Sequence, residues 1–320
     1  SWTPMKSVGM EGTSHASQPI AAGFGFAVTI LYLVFDYGRP QDQIGLIGAL
    51  RPGLILTSLM LVLFLKNTGQ LHKMASPQTT RMLLLLLLLA IHIPFAYNTG
   101  RALITTRGLL LIFITSGSII FFVNTPERLR VFLRWWIYLM VYIAVSGILG
   151  GGSAGSSFLR DENDFALLMN MMLPFGIFLF FYDVRKKTKL LYLIAALLCV
   201  GSIVISFSRG GFVGLVIVAL VVWLASPKKM LSMALVSLLA LAVYFYAGDA
   251  YWNEMSTIQT GEDYNAQSRV ELWEAAWEMF KDHPFGVGPG NYPVMLPDYQ
   301  SAYFGNKIMW DKAAHSVWFT

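Results

Sequence analysis

Residues 190–225 read LLYLIAALLCVGSIVISFSRGGFVGLVIVALVVWLA. Two apolar blocks, 190–206 and 210–225, are separated by a break of only a few residues around Ser208 and Arg209. A hydrocarbon core of about 30 Å takes about 20 residues of helix, and each block approaches that length. Working outward, the same pattern recurs at 20–35, 47–65, 82–97, 103–123, 129–149, 165–182 and 231–247, which makes nine candidate spans. A tenth begins at Ala314 and is cut off at Thr320, so the chain is expected to continue.

Composition agrees with this reading. Of 320 residues, 56% are hydrophobic and 13% charged, whereas an ordinary soluble domain has roughly 45–50% and about 25%. Too few polar side chains remain to coat a water-facing surface. The expected fold is therefore all-α, a polytopic transmembrane helix bundle with one long, partly helical loop. Its parts are a tail over 1–19, a bundle of about nine helices over 20–247, a loop over 248–313 with an interfacial helix near 269–281, and the start of a further span at 314–320. The tail lacks the apolar core of a cleavable signal peptide, and Ser1 to Pro4 read as a vector-derived remnant. Cys199 is the single cysteine, so no internal disulfide framework exists.

Basic residues mark orientation, because they stay on the cytoplasmic side of short loops. The loops after the second, fourth, sixth and eighth spans hold Lys66, Lys73, Arg81, Arg128, Arg130, Arg134, Arg185, Lys186, Lys187, Lys189, Lys228 and Lys229. The opposite side holds Arg39, Arg101, Arg160 and Arg209, with Arg107 just inside the fourth span. This places the N-terminus in the cytoplasm and the loop over 248–313 outside. That loop has ten acidic residues against four basic ones, a net charge near −6 in a chain of +5 overall. The basic residues are scattered between apolar blocks and form no stripe along which a phosphate backbone could run, so a nucleic-acid partner is excluded.

A basic residue on the outer side works against the topology signal and asks for a local reason. Arg209 stands between Ser206, Ser208 and the pair Gly210-Gly211. The guanidinium fork suits phosphate, glycines admit a ligand to the backbone, and Ser208 offers a hydroxyl; the alternative is an arginine snorkelling at a helix end. Arg269 follows Ser268 and precedes Glu271 with the spacing of a capping box, so the expected helix starts there. Leu272, Ala276 and Phe280 then form one stripe, and Trp273 and Trp277 suit the headgroup zone. The reading is either an anion site at that helix start or a surface arginine paired with one of the acids. Arg160 lies in a segment with Asp161, Glu162 and Asp164, as a phosphate contact or as part of a local ion pair.

His315 stands at the outer mouth of the truncated span. An ionisable residue there is a functional candidate, and imidazole suits general-base work near neutrality; the alternative is a satisfied bundle residue. His92, read as lying deep in the third span beside Pro94, is the rival, with no reacting partner nearby. The segment Gly286 to Asn291 has glycines but no surrounding βαβ unit, and reads as a turn-rich connector. No His, Cys, Asp or Glu cluster has metal-ligand spacing.

Four motifs in order carry a resemblance. They are Ser206-Phe207-Ser208-Arg209-Gly210-Gly211; Ser268-Arg269 followed by Trp273, Ala276 and Met279; His283-Pro284-Phe285-Gly286-Val287-Gly288-Pro289-Gly290-Asn291-Tyr292; and Ala314-His315-Ser316. Together with the long outer loop they resemble the O-antigen ligase and Wzy-type polymerase superfamily, which includes bacterial protein O-oligosaccharyltransferases. The resemblance covers 158–319, and the first 150 residues match only in hydropathy. It implies an inner-membrane glycosyltransferase that moves a glycan from an undecaprenyl-diphosphate carrier to an acceptor hydroxyl of lipid A core, protein or another glycan on the periplasmic face. It implies no cofactor and no metal. Arg209, Arg269 and Arg160 would bind the donor diphosphate, His315 would act as base, and Ser208 and Asn291 are secondary candidates. A secondary transporter or flippase for an anionic lipid or solute is the alternative from another class, since intramembrane charge and broken helices would serve it too.

Overall fold

The computed structural model describes residues 20–67, 75–154, 159–183, 185–226, 229–260, 264–299 and 313–314. Every element among them is helical. In chain order they are α1 (Ile20–Tyr37), α2 (Pro40–Gln43), α3 (Gly45–Ala49), α4 (Pro52–Leu65), α5 (Pro77–His92), α6 (Thr99–Phe122), α7 (Pro126–Leu149), α8 (Glu162–Tyr182), α9 (Lys186–Ile205), α10 (Arg209–Ala225), α11 (Lys229–Tyr246), α12 (Gly248–Thr260), α13 (Tyr264–Asp282) and α14 (Tyr292–Tyr299). Each of the nine expected spans has its helix. The five running from Pro77 to Ile205 are long and apolar enough to cross a membrane, and the other four are shorter apolar helices. The protein is an all-α polytopic membrane protein.

Local chemistry sets where the helices begin. Ser76, Asn98, Thr125, Asp161 and Ser208 each accept an amide of the first turn that follows, which satisfies donors that no intrahelical carbonyl can reach. Pro52, Pro77 and Pro126 occupy first helical positions, where the missing N–H costs nothing.

The tightest packing is among α7, α8, α9 and α10. Ile137, Met140, Phe165, Met169, Cys199 and Ile203 are wholly buried there. Small residues let the backbones approach, as in other membrane bundles. A Cβ on Gly176 would sit 3.2 Å from the Tyr192 carbonyl oxygen, and one on Gly211 would sit 2.6 Å from Ala166 Cβ. Polar groups add ties: Ser202 donates to the Ala144 carbonyl at 3.1 Å, and the Asn170 amide donates to the Gly211 carbonyl at 3.0 Å. The second core joins α1, α4 and α6 through Val28, Met60, Leu63 and Phe122. Helix α5 lies along α6 with none of its residues buried.

Arg39, expected in a loop on the outer side, sits in a turn that stands partway along α7. The Tyr37 ring stands 5.2 Å from that of Trp136, and Gln43 donates to the Tyr142 hydroxyl at 2.8 Å. The cause is length. The opposite end of the α1–α4 hairpin is pinned where Arg128 covers the Phe26 ring at 5.8 Å, and α1 and α4 have 18 and 14 residues against the 24 of α7. From Tyr142 to Leu149, α7 runs on for about 10 Å beyond the hairpin. His92, in turn, is the last residue of α5 and not deep in a span; Pro94 cannot continue the helix, and Ile93–Phe95 form a 3-10 turn leading to α6.

Candidate functional site

The first residues of α6, α8 and α10 lie at one end of the bundle, together with α12, α13 and α14. Two groups of candidate residues assemble there.

The first group surrounds a bridge between helix starts. Asp161 accepts the amides of Asn163 at 2.8 Å and Asp164 at 3.2 Å, which begins α8. Ser208 accepts the Gly211 amide at 3.0 Å, which begins α10. The Ser208 hydroxyl then donates to Asn163 Oδ1 at 2.7 Å, across 45 positions of sequence. Arg160 and Arg209 flank this bridge on their respective segments. The start of α10 carries partial positive charge and no acidic residue in its first turn, which favours an anion there, whereas Asp161, Glu162 and Asp164 already occupy the start of α8. Arg160 is exposed and makes no ion pair among the described residues, which leaves the local ion-pair reading without support; Arg209 is half-buried.

Backbone strain shapes the turn. Phe207 has a φ of 53°, a left-handed conformation that is rare for a bulky residue. It is over-determined by its surroundings, as such residues must be: its amide donates to the Val204 carbonyl at 3.2 Å, and its ring packs 6.0 Å from that of Tyr251 on α12. Behind it, Gly152 has a φ of 107°, and a Cβ there would sit 2.8 Å from Ser206 Cα. The two glycines after Arg209 differ in use. Gly210 is exposed and open, as a ligand approach requires, whereas Gly211 is buried against Ala166 and serves helix packing. Tyr251 is 1% exposed, its hydroxyl has no partner among the described residues, and burial pushes its pKa up to about 12.

The second group is built on α13. This helix begins at Tyr264, so Arg269 lies in its second turn and Ser268 is not its cap. The expectation of a helix starting at Arg269, with free amides beside it, is corrected; Arg269 acts by its own charge, and it too is exposed without an ion pair among the described residues. The segment over 248–299 also holds three helices where one was expected. The buried stripe of α13 is Leu272, Ala275, Ala276 and Met279, packed on Tyr292, Met295, Leu296 and Ala314, while Phe280 and Trp277 are exposed. The indole N–H of Trp273, one turn from Arg269, donates to the Ala314 carbonyl at 2.8 Å. Ala314 is the residue before His315, and His315 itself lies outside the described residues.

Asn291 docks this group onto the bundle. It is wholly buried; its Oδ1 accepts the Asn98 amide at 3.1 Å and its Nδ2 donates to the Asn98 carbonyl at 3.3 Å. The Tyr97 amide donates to the Val287 carbonyl at 3.0 Å. Tyr292 donates its hydroxyl to the Leu272 carbonyl at 2.7 Å, and burial pushes its pKa up to about 12. The connector over 286–291 is thus a clamp from α13 and α14 to the start of α6. Among the described residues no group of His, Cys, Asp or Glu could hold a metal ion.

Sequence reasoning missed Asn163, Tyr251 and Trp273 as site residues. Trp273 carried a signal, since it recurs four positions after Arg269 on one helix face. Asn163 carried none, because its partner is distant in sequence.

No curated protein and no solved structure matches the chain. Residues 194–320 match the family model described as O-antigen ligase. The matched stretch contains Arg209, Arg269, Asn291 and His315 and leaves Arg160 outside, so it takes in α10 and the whole α12–α14 segment. Over residues 194–320 the chain is similar to the O-antigen ligase family.

Proposed function

We propose that the protein is a membrane glycosyltransferase of the O-antigen ligase type, transferring a glycan from an undecaprenyl-diphosphate carrier to an acceptor hydroxyl on the periplasmic face of the inner membrane. The observation that carries the reading is the Trp273 to Ala314 hydrogen bond. It ties the residue preceding His315 to the helix of Arg269, at the bundle end where Arg160 and Arg209 flank the Asn163–Ser208 bridge.

In this reading Arg209 and Arg269, joined by Arg160, bind the diphosphate. The bond from the anomeric carbon to the phosphate oxygen breaks as the acceptor oxygen attacks from the opposite face, which inverts the configuration. Negative charge grows on the departing diphosphate, and fixed guanidinium groups stabilise it more than they stabilise the ground state. His315 takes the proton of the acceptor hydroxyl. Ser208 and Asn291, whose polar groups are engaged with Asn163, Gly211 and Asn98, act as struts that hold the site's backbone. No cofactor is required.

The test is transfer by purified full-length protein, given a lipid-diphosphate-linked glycan, candidate acceptors and excess chelator. The expected result is product of inverted configuration, with His315→Ala losing about 10²–10⁴-fold while donor binding and thermal unfolding stay unchanged. Wild-type transfer by His315→Ala, or loss of all activity on chelation, overturns the assignment.

A further inference from the structure

The α1–α4 hairpin contains a second polar locality that the transfer reading does not use. Asp36, Arg39 and Asp42 cluster at its turn, between about 15 and about 24 Å along α7 from Pro126, in the stretch of bundle from Trp136 to Tyr142. Arg39 Nε lies 3.9 Å from Asp42 Oδ2. The Asp36 carboxyl makes no hydrogen bond and no contact ion pair among the described residues, and the nearest opposite charge it feels is the Arg39 guanidinium, whose Nε faces Asp42. A carboxyl group among membrane helices is costly to ionise without a close partner, and such a residue marks a functional site by default.

Asp36 lines a cavity of about 350 Å³ between α1, α6, α7 and α8. Five aromatic residues share its wall: Tyr32, Tyr37, Phe132, Trp136 and Phe175. They are ordered against one another, with Trp136 at ring distances of 5.2 Å from Tyr37, 6.4 Å from Phe132 and 6.3 Å from Phe175. Thr115 and Ser116 complete the polar side, while Ile112 and Ile119 extend the apolar one. The indole N–H of Trp136 is buried and has no acceptor among the described residues.

The chemistry selects the occupant. The carboxylate repels an anion, so this is not a second diphosphate site. A bare metal ion would want several oxygen ligands in a tight shell, whereas the cavity has the size of a small-molecule site and largely apolar walls. Aromatic faces beside a carboxylate attract an organic cation. The unengaged indole N–H calls for an oxygen acceptor on the same ligand.

We propose that this cavity binds an amphiphilic organic amine that bears an oxygen near its nitrogen. Its ammonium group faces Asp36 and the rings of Tyr37 and Trp136, its oxygen accepts from the Trp136 indole, and its apolar body lies along Ile112 and Ile119. A free long-chain amino alcohol and a lipid with an ethanolamine head share this chemistry.

The experiment titrates full-length protein in phosphatidylglycerol nanodiscs with N-dodecylethanolamine and reads tryptophan fluorescence, with dodecanol as the uncharged control. Saturable binding of the amine is expected, at least tenfold weaker in Asp36→Asn and changed less than twofold in Asp42→Asn. Tyr37→Leu, which removes an aromatic face and leaves the carboxylate, gives a several-fold loss and serves if Asp36→Asn does not fold. Repeating the titration with phosphatidylethanolamine in the disc separates the sources: competition identifies the lipid head, and no competition the free amine. Equal binding by Asp36→Asn, saturation by dodecanol at the same concentration, or no saturable binding of the amine overturns the proposal.

Discussion

The start of α10 and the turn between α1 and α4 are both short breaks between apolar helices, and both carry an arginine. They differ in what surrounds the charge. At Arg209 the neighbouring polar groups are engaged with one another: Ser208 holds Asn163 and Gly211, and Asp161 holds two amides of α8. At Arg39 the turn stops partway along α7, and the Asp36 carboxyl one helical turn away has no hydrogen bond or contact ion pair among the described residues. The first break is a rigid frame that presents cations at the end of the bundle. The second is a short hairpin that leaves a carboxyl group inside it. An arginine in a loop therefore says little until the length of its hairpin is compared with that of its neighbours.

The comparison breaks most readily on activity. Arg209→Ala is expected to lower transfer by about 10²–10³-fold, the scale of losing one preorganised electrostatic contact in a transition state. Arg209→Lys is expected to remain severely impaired, because an ammonium cannot replace the bidentate fork. Arg39→Gln is expected to leave transfer within about twofold. Steady-state kinetics on all three decide the matter, and equal losses at Arg209 and Arg39 would merge the two regions into one site.

Packing offers a smaller effect. Gly211→Leu forces a side chain toward Ala166, where even a Cβ would lie at 2.6 Å, and overpacking of this kind costs about 1–3 kcal/mol. Gly210→Ala, exposed and open, is expected to leave unfolding unchanged and to slow transfer if the donor approaches the backbone there. Thermal unfolding and activity measured on the same preparations separate the two glycines. Ser208→Ala removes both a helix cap and the bridge to Asn163; the cap alone is worth about 0.5–2 kcal/mol. Asn163→Ala, which removes only the bridge, should cost less.

These contrasts show which parts of the molecule were legible in the sequence. The nine apolar helices were, because span length and apolar content are local properties of a run such as 190–225. The depth of Arg39 was not, because it depends on α1 and α4 being shorter than α7 and on the pinning of Phe26 beneath Arg128. The helix of Arg269 was read one turn too short. Its first residues, from Tyr264 to Ser268, carry no apolar stripe, and Ser268-Arg269-Val270-Glu271 imitates a start. The engagements of Ser208 and Asn291 were hidden for a simpler reason: their partners lie 45 and 193 positions away.

The smallest expected effect tests whether the ordered hydrogen bonding is confined to the end that holds Arg209. At the far end of α8, Asp183 accepts the Arg185 amide at 3.0 Å, just before α9 begins. That amide, followed by the Thr188 side chain, holds its carboxyl below the usual carboxylate range. A depressed folded-state pKa means that the contribution to stability is full above the unfolded value of about 3.9 and is lost as pH falls through the lower folded value. Asp183→Asn is therefore expected to lower the Tm modestly at pH 7. The gap between variant and wild type should close progressively below about pH 4. A gap that stays constant down to pH 3 would mean that the amide oxygen of asparagine fails for steric reasons and that the charge of Asp183 contributes nothing. Helix starts at the two ends of the bundle would then differ in kind, with capping by charge confined to the end where Asp161 begins α8.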